Sequence, residues 1–385
     1  MQLGSEILPA SNRLDGLRVG VLANPASVDR RFRHIVDLLA ASPDFKLSAI
    51  FGPQHGFRSD LQDNMIETSH ADDPKRGVPI FSLYSETREP TPDMLSLIDV
   101  LVIDIQDVGA RIYTFIYTMA NCLAACARAG VPVIVCDRPN PIGGIAVEGP
   151  MLEPGYESFV GQYPIPMRHG MTTAELAEFF NVEFGLAAEL ELVPMQGWSR
   201  EMYFDETDVP WIMPSPNMPT LDTAIVYPGT VLFEGTMLSE GRGTTRPFEL
   251  IGAPWLDGDT FAAQMNDTGL KGAYFRPAIF EPTFQKHART TCGGCQIHVV
   301  DREAFEPVLA GAALLREAYA LAPDQFKWRD PPYEYEHDKM PIDILAGSPT
   351  LREQIEQQVP LRDISDSWRP GEAAFIERRR PYLLY

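Results

Sequence analysis

The sequence predicts an α/β protein, with a doubly wound parallel sheet in its first half and a smaller α+β domain after it. Apolar strand-like runs alternate with helical patterns through residues 17–141, which is typical of βαβ units. Near residue 226 the sequence becomes rich in Gly and Thr. The length of 385 residues also exceeds what one hydrophobic core usually organises. We therefore expect two domains, residues 1–225 and 226–385.

The strands and helices of the first half follow one another in a regular order. Strands are predicted at 17–23, 46–53, 99–107 and 131–141, and helices at 30–41, 92–98 and 114–130. In such sheets, ligands bind beyond the carboxyl ends of the strands. The polar loops that follow the strands are therefore expected to converge on one site; they are 24–27, 52–58, 104–114 and 137–144.

The second half contains shorter elements. We predict a strand at 295–300 and a helix at 304–321. The prolines of residues 211–229 predict a rigid loop, neither helix nor regular sheet. The CGGC at residues 292–295 is interpreted as a turn that enters a strand, since neither a second ligand pair nor a following helix supports a zinc or redox site.

Composition excludes several classes of function. The chain has 53 acidic and 32 basic residues, a formal net charge of −21, so nucleic acid and anionic membranes are not expected partners. No apolar run is long enough to span a membrane. Nucleotide-binding and metal-binding motifs are absent, so no cofactor and no metal are expected. The first residues show no basic region followed by an apolar one, which predicts a cytoplasmic protein without a signal peptide.

The segment 51–67, FGPQHGFRSDLQDNMIE, is the most chemically loaded stretch. A histidine such as His55 can move a proton near neutral pH, and Arg58 can hold a carboxylate. Asp63 and Glu67 are candidates for acid–base work or substrate binding. The alternative is an acidic surface loop with a structural histidine.

A second polar segment, DIQDVGARIYT (104–114), follows a predicted strand. Asp104 and Asp107 are candidate catalytic carboxylates, and Arg111 and Tyr113 are candidate substrate ligands. If the strand continues, the two aspartates project to opposite faces, so only one need enter the crevice. An N-cap role for one of them is the competing interpretation.

The remaining candidates lie in later loops. Asn140 belongs to the turn DRPNPIGG, and His169 precedes a capped helix, where a structural role is equally compatible with the sequence. Asn217 lies within the proline-rich segment, where presenting an amide to a sugar and bracing the domains are equally favoured. The glycine-rich segment 233–245 contributes Glu234, Glu240 and Arg242 as a second wall for a cleft.

Several of these blocks, in order from about residue 17 to the last residue, resemble one known family. They are FGPQHGFR, DIQDVGARIYTFIYT, CDRPNPIGG with VEGP, PIPMRHGMTTAELA, MPSPNMPTLDTAIVYPGTVLFEGT, SEGRGTTRPFELIGAPW and RRRPYLLY. They are similar to the DUF1343 family, whose characterised members are the NamZ-type exo-β-N-acetylmuramidases of glycoside hydrolase family 171. The resemblance implies a Rossmann-like N-terminal domain, a smaller C-terminal domain and an active-site cleft between them. It also implies cofactor-free release of N-acetylmuramic acid from the non-reducing ends of peptidoglycan fragments.

The chain departs from the family pattern at one position. The usual motif is GPEHGFR, and its glutamate is the proposed catalytic acid, but here the residue is Gln54. An amide cannot supply acid catalysis, which contributes typically about 10²–10⁴-fold. Three explanations remain open: a neighbouring carboxyl group supplies the acid, the acetamido group of the substrate assists with Gln54 orienting it or a water, or the chain binds sugars without turnover. The candidate neighbours are Asp63, Glu67, Asp104, Asp107 and Glu240.

The resulting expectation is a glycosidase for an N-acetylated amino sugar, muramic acid by resemblance. Arg58, Arg111 or Arg242 would hold the lactyl carboxylate. The sugar subsite would be lined by Gln54, His55, Tyr113, His169 and Asn217. The alternatives are an inactive binder of the same sugars, and a hydrolase or transferase for another anionic metabolite. Many members of the family are exported, whereas no signal peptide is expected here. This difference suggests turnover of imported wall fragments or of a different sugar.

Overall fold

The computed structural model describes residues 1–62 and 65–385. The strands are Arg18–Ala23 (β1), Lys46–Gly52 (β2), Ala71–Asp73 (β3), Val78–Ser82 (β4), Val100–Asp104 (β5), Val133–Cys136 (β6), Glu148–Met151 (β7), Pro166–Arg168 (β8), Leu190–Val193 (β9), Leu250–Ala253 (β10), Ala273–Phe280 (β11) and Cys292–Val299 (β12). The α-helices are Gly4–Ile7 (α1), Ile35–Ala40 (α2), Pro92–Leu95 (α3), Phe115–Ala129 (α4), Thr173–Glu183 (α5), Leu221–Thr230 (α6), Gly258–Asp267 (α7), Pro307–Leu321 (α8), Pro341–Ala346 (α9), Thr350–Glu356 (α10) and Leu361–Arg379 (α11).

The central sheet has the strand order β3-β4-β2-β1-β5-β6-β9. All neighbouring strands in it are parallel except β3, which pairs antiparallel with β4. The chain starts in the middle at β1, builds β2 on one side and later adds β5 on the other. The gap beyond the carboxyl ends of β1 and β5 is therefore a topological switch point, where ligands bind in such sheets.

The second half forms a smaller antiparallel sheet of order β10-β12-β11, with α7 and α8 packed nearby. The predicted fold class is therefore confirmed. The proposed boundary between residues 225 and 226 falls inside α6. One continuous apolar core extends from the central sheet through α6 and α8, so the two halves share a common interior.

Three predictions about local structure were wrong. The helix predicted from residue 30 begins at Ile35, because the Asp29 carboxylate accepts the backbone N–H groups of Arg31 and Arg33 at 2.8 and 2.9 Å and holds them in a turn. The proline-rich segment contains α6, which has Pro228 inside it and is N-capped by Thr220. The CGGC lies within β12 itself.

None of the helices in the described part of the chain combines the length and the apolar character that crossing a bilayer requires.

Candidate active site

A pocket opens beyond the carboxyl ends of β2 and β5, where the second half of the chain covers the central sheet. Its cavity volume is about 50 Å³. It is lined by Gln54, His55, Ile112, Tyr113, Thr114, Phe115, Val160, Ser215, Asn217, Met218, Tyr227, Glu234, Arg242, Phe248, Tyr333 and Glu334. Both halves of the chain therefore contribute to one site.

A buried ion pair forms one wall of the pocket. Arg242 Nη2 donates to Glu234 Oε1 at 2.6 Å, and the Tyr333 hydroxyl donates to Glu234 Oε2 at 2.6 Å. Burial alone raises the pKa of Glu234, but the charge of Arg242 and the Tyr333 hydroxyl lower it below its usual value. Glu234 is therefore the ionised carboxylate of the pocket.

A second layer of charge lies behind this wall. Glu240 accepts from Lys286 Nζ at 2.7 Å, and its other oxygen lies 3.4 Å from Arg242 Nε. Lys286 also donates to the carbonyl oxygens of Phe233 and Leu238, at 2.7 and 3.1 Å. Glu240 thus acts on the pocket through Arg242, which it helps to hold in place.

The amide of Gln54 also lines the pocket. Its Oε1 accepts from Thr114 Oγ1 at 2.7 Å, which leaves its NH₂ group directed elsewhere. That group interacts with the Glu334 carboxyl, whose Oε2 also accepts from the Tyr84 hydroxyl at 3.1 Å. Burial, reinforced by the negative charge of Glu234, raises the pKa of Glu334 to about 7. The pocket therefore holds a second carboxyl group that keeps its proton into the neutral range.

Three further side chains complete the polar lining. His55 Nδ1 lies 2.8 Å from the carbonyl oxygen of Leu61, so this nitrogen carries the proton and Nε2 remains an acceptor. Burial lowers the pKa of His55 to about 4, so its imidazole is neutral at physiological pH. Asn217 donates to the Gln62 carbonyl oxygen at 3.0 Å, and the Tyr113 hydroxyl interacts with Ser215.

The pocket contains six of the residues that the sequence singled out: Gln54, His55, Tyr113, Asn217, Glu234 and Arg242. Their roles remain predictions, but their proximity follows from the topology. The four loops do not all contribute, however. Those at 52–58 and 104–114 supply lining residues, whereas those at 24–27 and 137–144 supply none.

Five of the other predicted residues are committed to internal structure. Asp104 is fully buried in a bidentate pair with Arg138, so it cannot meet a substrate. Asp107 accepts the Gly109 N–H at 2.7 Å, and its Oδ2 lies 3.6 Å from His169 Nε2, with both side chains buried outside the pocket.

Arg111 and Asn140 likewise act as internal ties. The Arg111 guanidinium donates to the carbonyl oxygens of Pro150, Ile165 and Leu345 at 2.7–2.9 Å. Asn140 donates to the Met171 carbonyl oxygen at 3.0 Å. Both side chains are buried and neither lines the pocket, which conflicts with the expectation that they bind a substrate.

The remaining predicted residues lie outside the pocket or outside the described residues. Arg58 is exposed in a neighbouring groove with His70, and Glu67 forms a surface ion pair with Arg88 at 3.0 Å. Asp63 lies outside the described residues. In the described ranges no cluster of three or more His, Cys, Asp or Glu side chains has a geometry suited to a metal ion.

Sequence reasoning missed Glu334, together with Tyr333 and Thr114 in the same lining. The signal for Glu334 was PPYEYEHD at residues 331–338, where two glutamates follow a proline pair between helical segments. Nothing in that stretch indicates that it folds back onto the first half of the chain.

Comparisons with known proteins cover the whole of this architecture. The N-terminal and C-terminal domain models of exo-β-N-acetylmuramidase NamZ match residues 19–222 and 225–385. The chain is 46% identical over 373 residues to the peptidoglycan β-N-acetylmuramidase NamZ of Bacillus subtilis, an alignment that covers 97% of this chain and 88% of that protein.

Two crystal structures of DUF1343 family proteins from Bacteroides fragilis superpose on it. One has a TM-score of 0.90 at 36% identity and the other a TM-score of 0.74 at 28% identity. Each comparison covers 100% of this chain and 98% of the other. By its sequence over nearly its full length and by its fold, the chain belongs to the NamZ family of exo-β-N-acetylmuramidases, also described as DUF1343.

Proposed function

We propose that this protein is an exo-β-N-acetylmuramidase that releases N-acetylmuramic acid from the non-reducing ends of peptidoglycan fragments. Family membership supports the reaction class, and the named Bacillus subtilis relative is a peptidoglycan β-N-acetylmuramidase. The pocket is polar and is lined by residues of both halves of the chain.

The observation that carries the proposal is the state of Arg242. Its side chain lines the pocket and is only 8% exposed. Among the described residues, its Nη1 is buried and has no hydrogen-bond acceptor, although Nη2 is occupied by Glu234. N-acetylmuramic acid differs from N-acetylglucosamine by a lactyl carboxylate, and a guanidinium matches that planar anion. Of the three arginines that we considered, Arg242 alone lines the pocket.

The other lining groups suit the rest of the sugar. Gln54, Asn217 and Tyr113 line the pocket with polar groups, which can exchange hydrogen bonds with the hydroxyl and acetamido groups of a sugar if they give up their internal partners. Tyr227 and Phe248, whose ring centroids are 4.8 Å apart, supply an apolar surface for the ring face.

The test compares two chromogenic substrates that differ only in the lactyl group. The purified protein is mixed with 4-nitrophenyl β-N-acetylmuraminide or with the corresponding glucosaminide, and released 4-nitrophenol is measured. We expect turnover of the muraminide and a much lower kcat/KM for the glucosaminide. Equal kcat/KM values for the two would contradict recognition of the carboxylate.

Because Gln54 replaces the proposed catalytic acid of the family, the protein could bind the sugar without hydrolysing it. The same assay distinguishes these two cases. Gln54→Glu is assayed in parallel, with binding of N-acetylmuramic acid measured by calorimetry. A native protein that binds the sugar without turnover, beside a variant that hydrolyses the substrate, would assign a binding role. Absence of both binding and turnover would favour a different anionic metabolite.

A further inference from the structure

The turn that carries Glu334 has an unusual backbone. Tyr333 and Glu336 exchange two hydrogen bonds between N–H and carbonyl groups, both of 2.9 Å, which closes a two-residue turn. The residues between them, Glu334 and Tyr335, have φ angles of 44° and 70°. Such turns favour Asn-Gly, because both central residues need positive φ. Bulky residues keep such a conformation only where the surrounding contacts fix it.

Contacts from the first half of the chain hold this turn in place. The Arg88 guanidinium lies 4.3 Å from the ring centroid of Tyr84 and 4.8 Å from that of Tyr335. Tyr84 also donates its hydroxyl hydrogen to Glu334. The turn is therefore held by an edge-to-face pair of tyrosine rings and a cation, and Glu334 lines the pocket.

The partners of Glu334 leave its own proton available. Tyr84 is a donor to Oε2, and Gln54 meets the carboxyl with its NH₂ group because Thr114 occupies its oxygen. A protonated carboxyl group that only accepts hydrogen bonds from its neighbours can still donate its own O–H to an acceptor on the substrate.

Two carboxyl groups of opposite protonation state thus lie in one pocket. Burial and the charge of Glu234 raise the pKa of Glu334 to about 7, while Tyr84, Gln54 and Arg242 oppose the shift only in part. The pKa of Glu234 is lowered. Environments that separate the pKa values of two carboxyl groups in this way identify an acid and an ionised partner.

We propose that Glu334 is the general acid of this site and supplies the proton that Gln54 cannot. The inference rests on the proposed function. The Glu334 O–H bond breaks as its proton moves to the glycosidic oxygen, and the bond between that oxygen and the anomeric carbon breaks, with its electron pair leaving on the oxygen. One water is consumed: its hydroxyl joins the anomeric carbon, and its remaining proton restores the Glu334 carboxyl group.

The test is Glu334→Gln, with Glu336→Gln as the matched control. Glu336 lies in the same turn, but its carboxylate faces Lys339 at 3.7 Å and does not line the pocket. Two substrates are compared: a β-1,4-linked N-acetylmuramic acid–N-acetylglucosamine disaccharide and the 4-nitrophenyl muraminide. The disaccharide has an alcohol leaving group, which must be protonated, whereas 4-nitrophenolate leaves without a proton.

We expect Glu334→Gln to lower kcat/KM on the disaccharide by about 10²–10⁴-fold. The loss on the 4-nitrophenyl substrate should be much smaller. The wild-type rate should fall on the alkaline side near pH 7, as Glu334 loses its proton, and this fall should be absent in the variant. Thermal melting of both variants verifies that each is folded, and Glu336→Gln should behave as wild type.

Several results would overturn the assignment. An unchanged rate on both substrates, or a loss by the same factor on both in a folded variant, would remove Glu334 from the acid role while the proposed function stands. A wild-type protein that hydrolyses only after Gln54→Glu would place the acid at position 54. Failure of the wild-type protein and of Gln54→Glu on both substrates would overturn the proposed function and this inference together.

Discussion

The substitution Asp104→Asn tests whether the Asp104 carboxylate has a structural or a catalytic role. Asp104 and Arg138 are both fully buried, and the guanidinium contacts both carboxylate oxygens, at 2.5 and 2.9 Å. Asparagine keeps the shape but removes the charge, and its NH₂ group then faces a guanidinium N–H. Removing one partner of a buried pair costs about 3–5 kcal/mol, because the other charge remains buried without compensation.

A matched control comes from the same sheet. Asp99 pairs with Arg18 through both oxygens at 2.7 and 3.2 Å, yet these side chains are 38% and 48% exposed. Exposed pairs contribute about 0–1 kcal/mol. Asp99→Asn therefore changes the same chemical group in a similar bidentate pair, and differs from Asp104→Asn mainly in its burial.

Urea denaturation followed by tryptophan fluorescence and circular dichroism measures both effects. With a slope of about 3 kcal/mol/M, the expected loss for Asp104→Asn lowers the urea midpoint by about 1 M or more. At temperatures where the variant is folded, its kcat should match wild type. A stable variant with a collapsed kcat would refute the reasoning and return Asp104 to the catalytic candidates.

Two further predictions concern the buried residues Gly229 and Glu148. Gly229→Ala places a Cβ 1.8 Å from the carbonyl oxygen of Pro307 and should lower the free energy of unfolding by ~1–3 kcal/mol or more, whereas Gly161→Ala, with only ordinary contacts at 3.6 Å, should be nearly neutral in the same denaturation assay. Burial raises the pKa of Glu148 from 4.5 to about 8, so the folded chain holds a proton that the unfolded chain releases, and stability falls as pH rises between these values. Glu148→Gln still accepts the Leu309 N–H, so its stability relative to wild type should rise from pH 5 to pH 8; an equal difference at both pH values would contradict this.

The long apolar segments of the fold could be predicted from sequence because apolar residues recur at the positions that the fold buries. The helix predicted at 114–130 is observed at Phe115–Ala129. The errors occurred where a distant neighbour decides the structure. Gly293 and Gly294 looked like turn residues, but a Cβ there would lie 2.2 and 2.0 Å from the carbonyl oxygens of Leu256 and Ile251. These glycines allow close contact between backbones, which the local sequence does not show.

The site was predictable only in part for the same reason. Two of the four polar loops that follow the strands supply residues to the pocket, but sequence cannot distinguish a carboxylate that faces a pocket from one that faces a buried arginine. Asp104 was predicted to be catalytic but pairs with the buried Arg138, whereas Glu334 was not predicted and lines the pocket. The contact between Tyr84 and Glu334 joins residues 250 positions apart, so no local motif could indicate it.

The charges of the pocket explain why an acid at position 334 suits an anionic substrate. Glu234 and Glu240 are balanced by Arg242 and Lys286, so these four groups together carry no net charge. A bound lactyl carboxylate would add one negative charge beside Arg242 and make the ionised form of Glu334 less favourable. The substrate would thus strengthen the protonation that its own cleavage needs. The Gln54 amide opposes this protonation by donating an N–H to the Glu334 carboxyl group, but burial and the charge of Glu234 outweigh it.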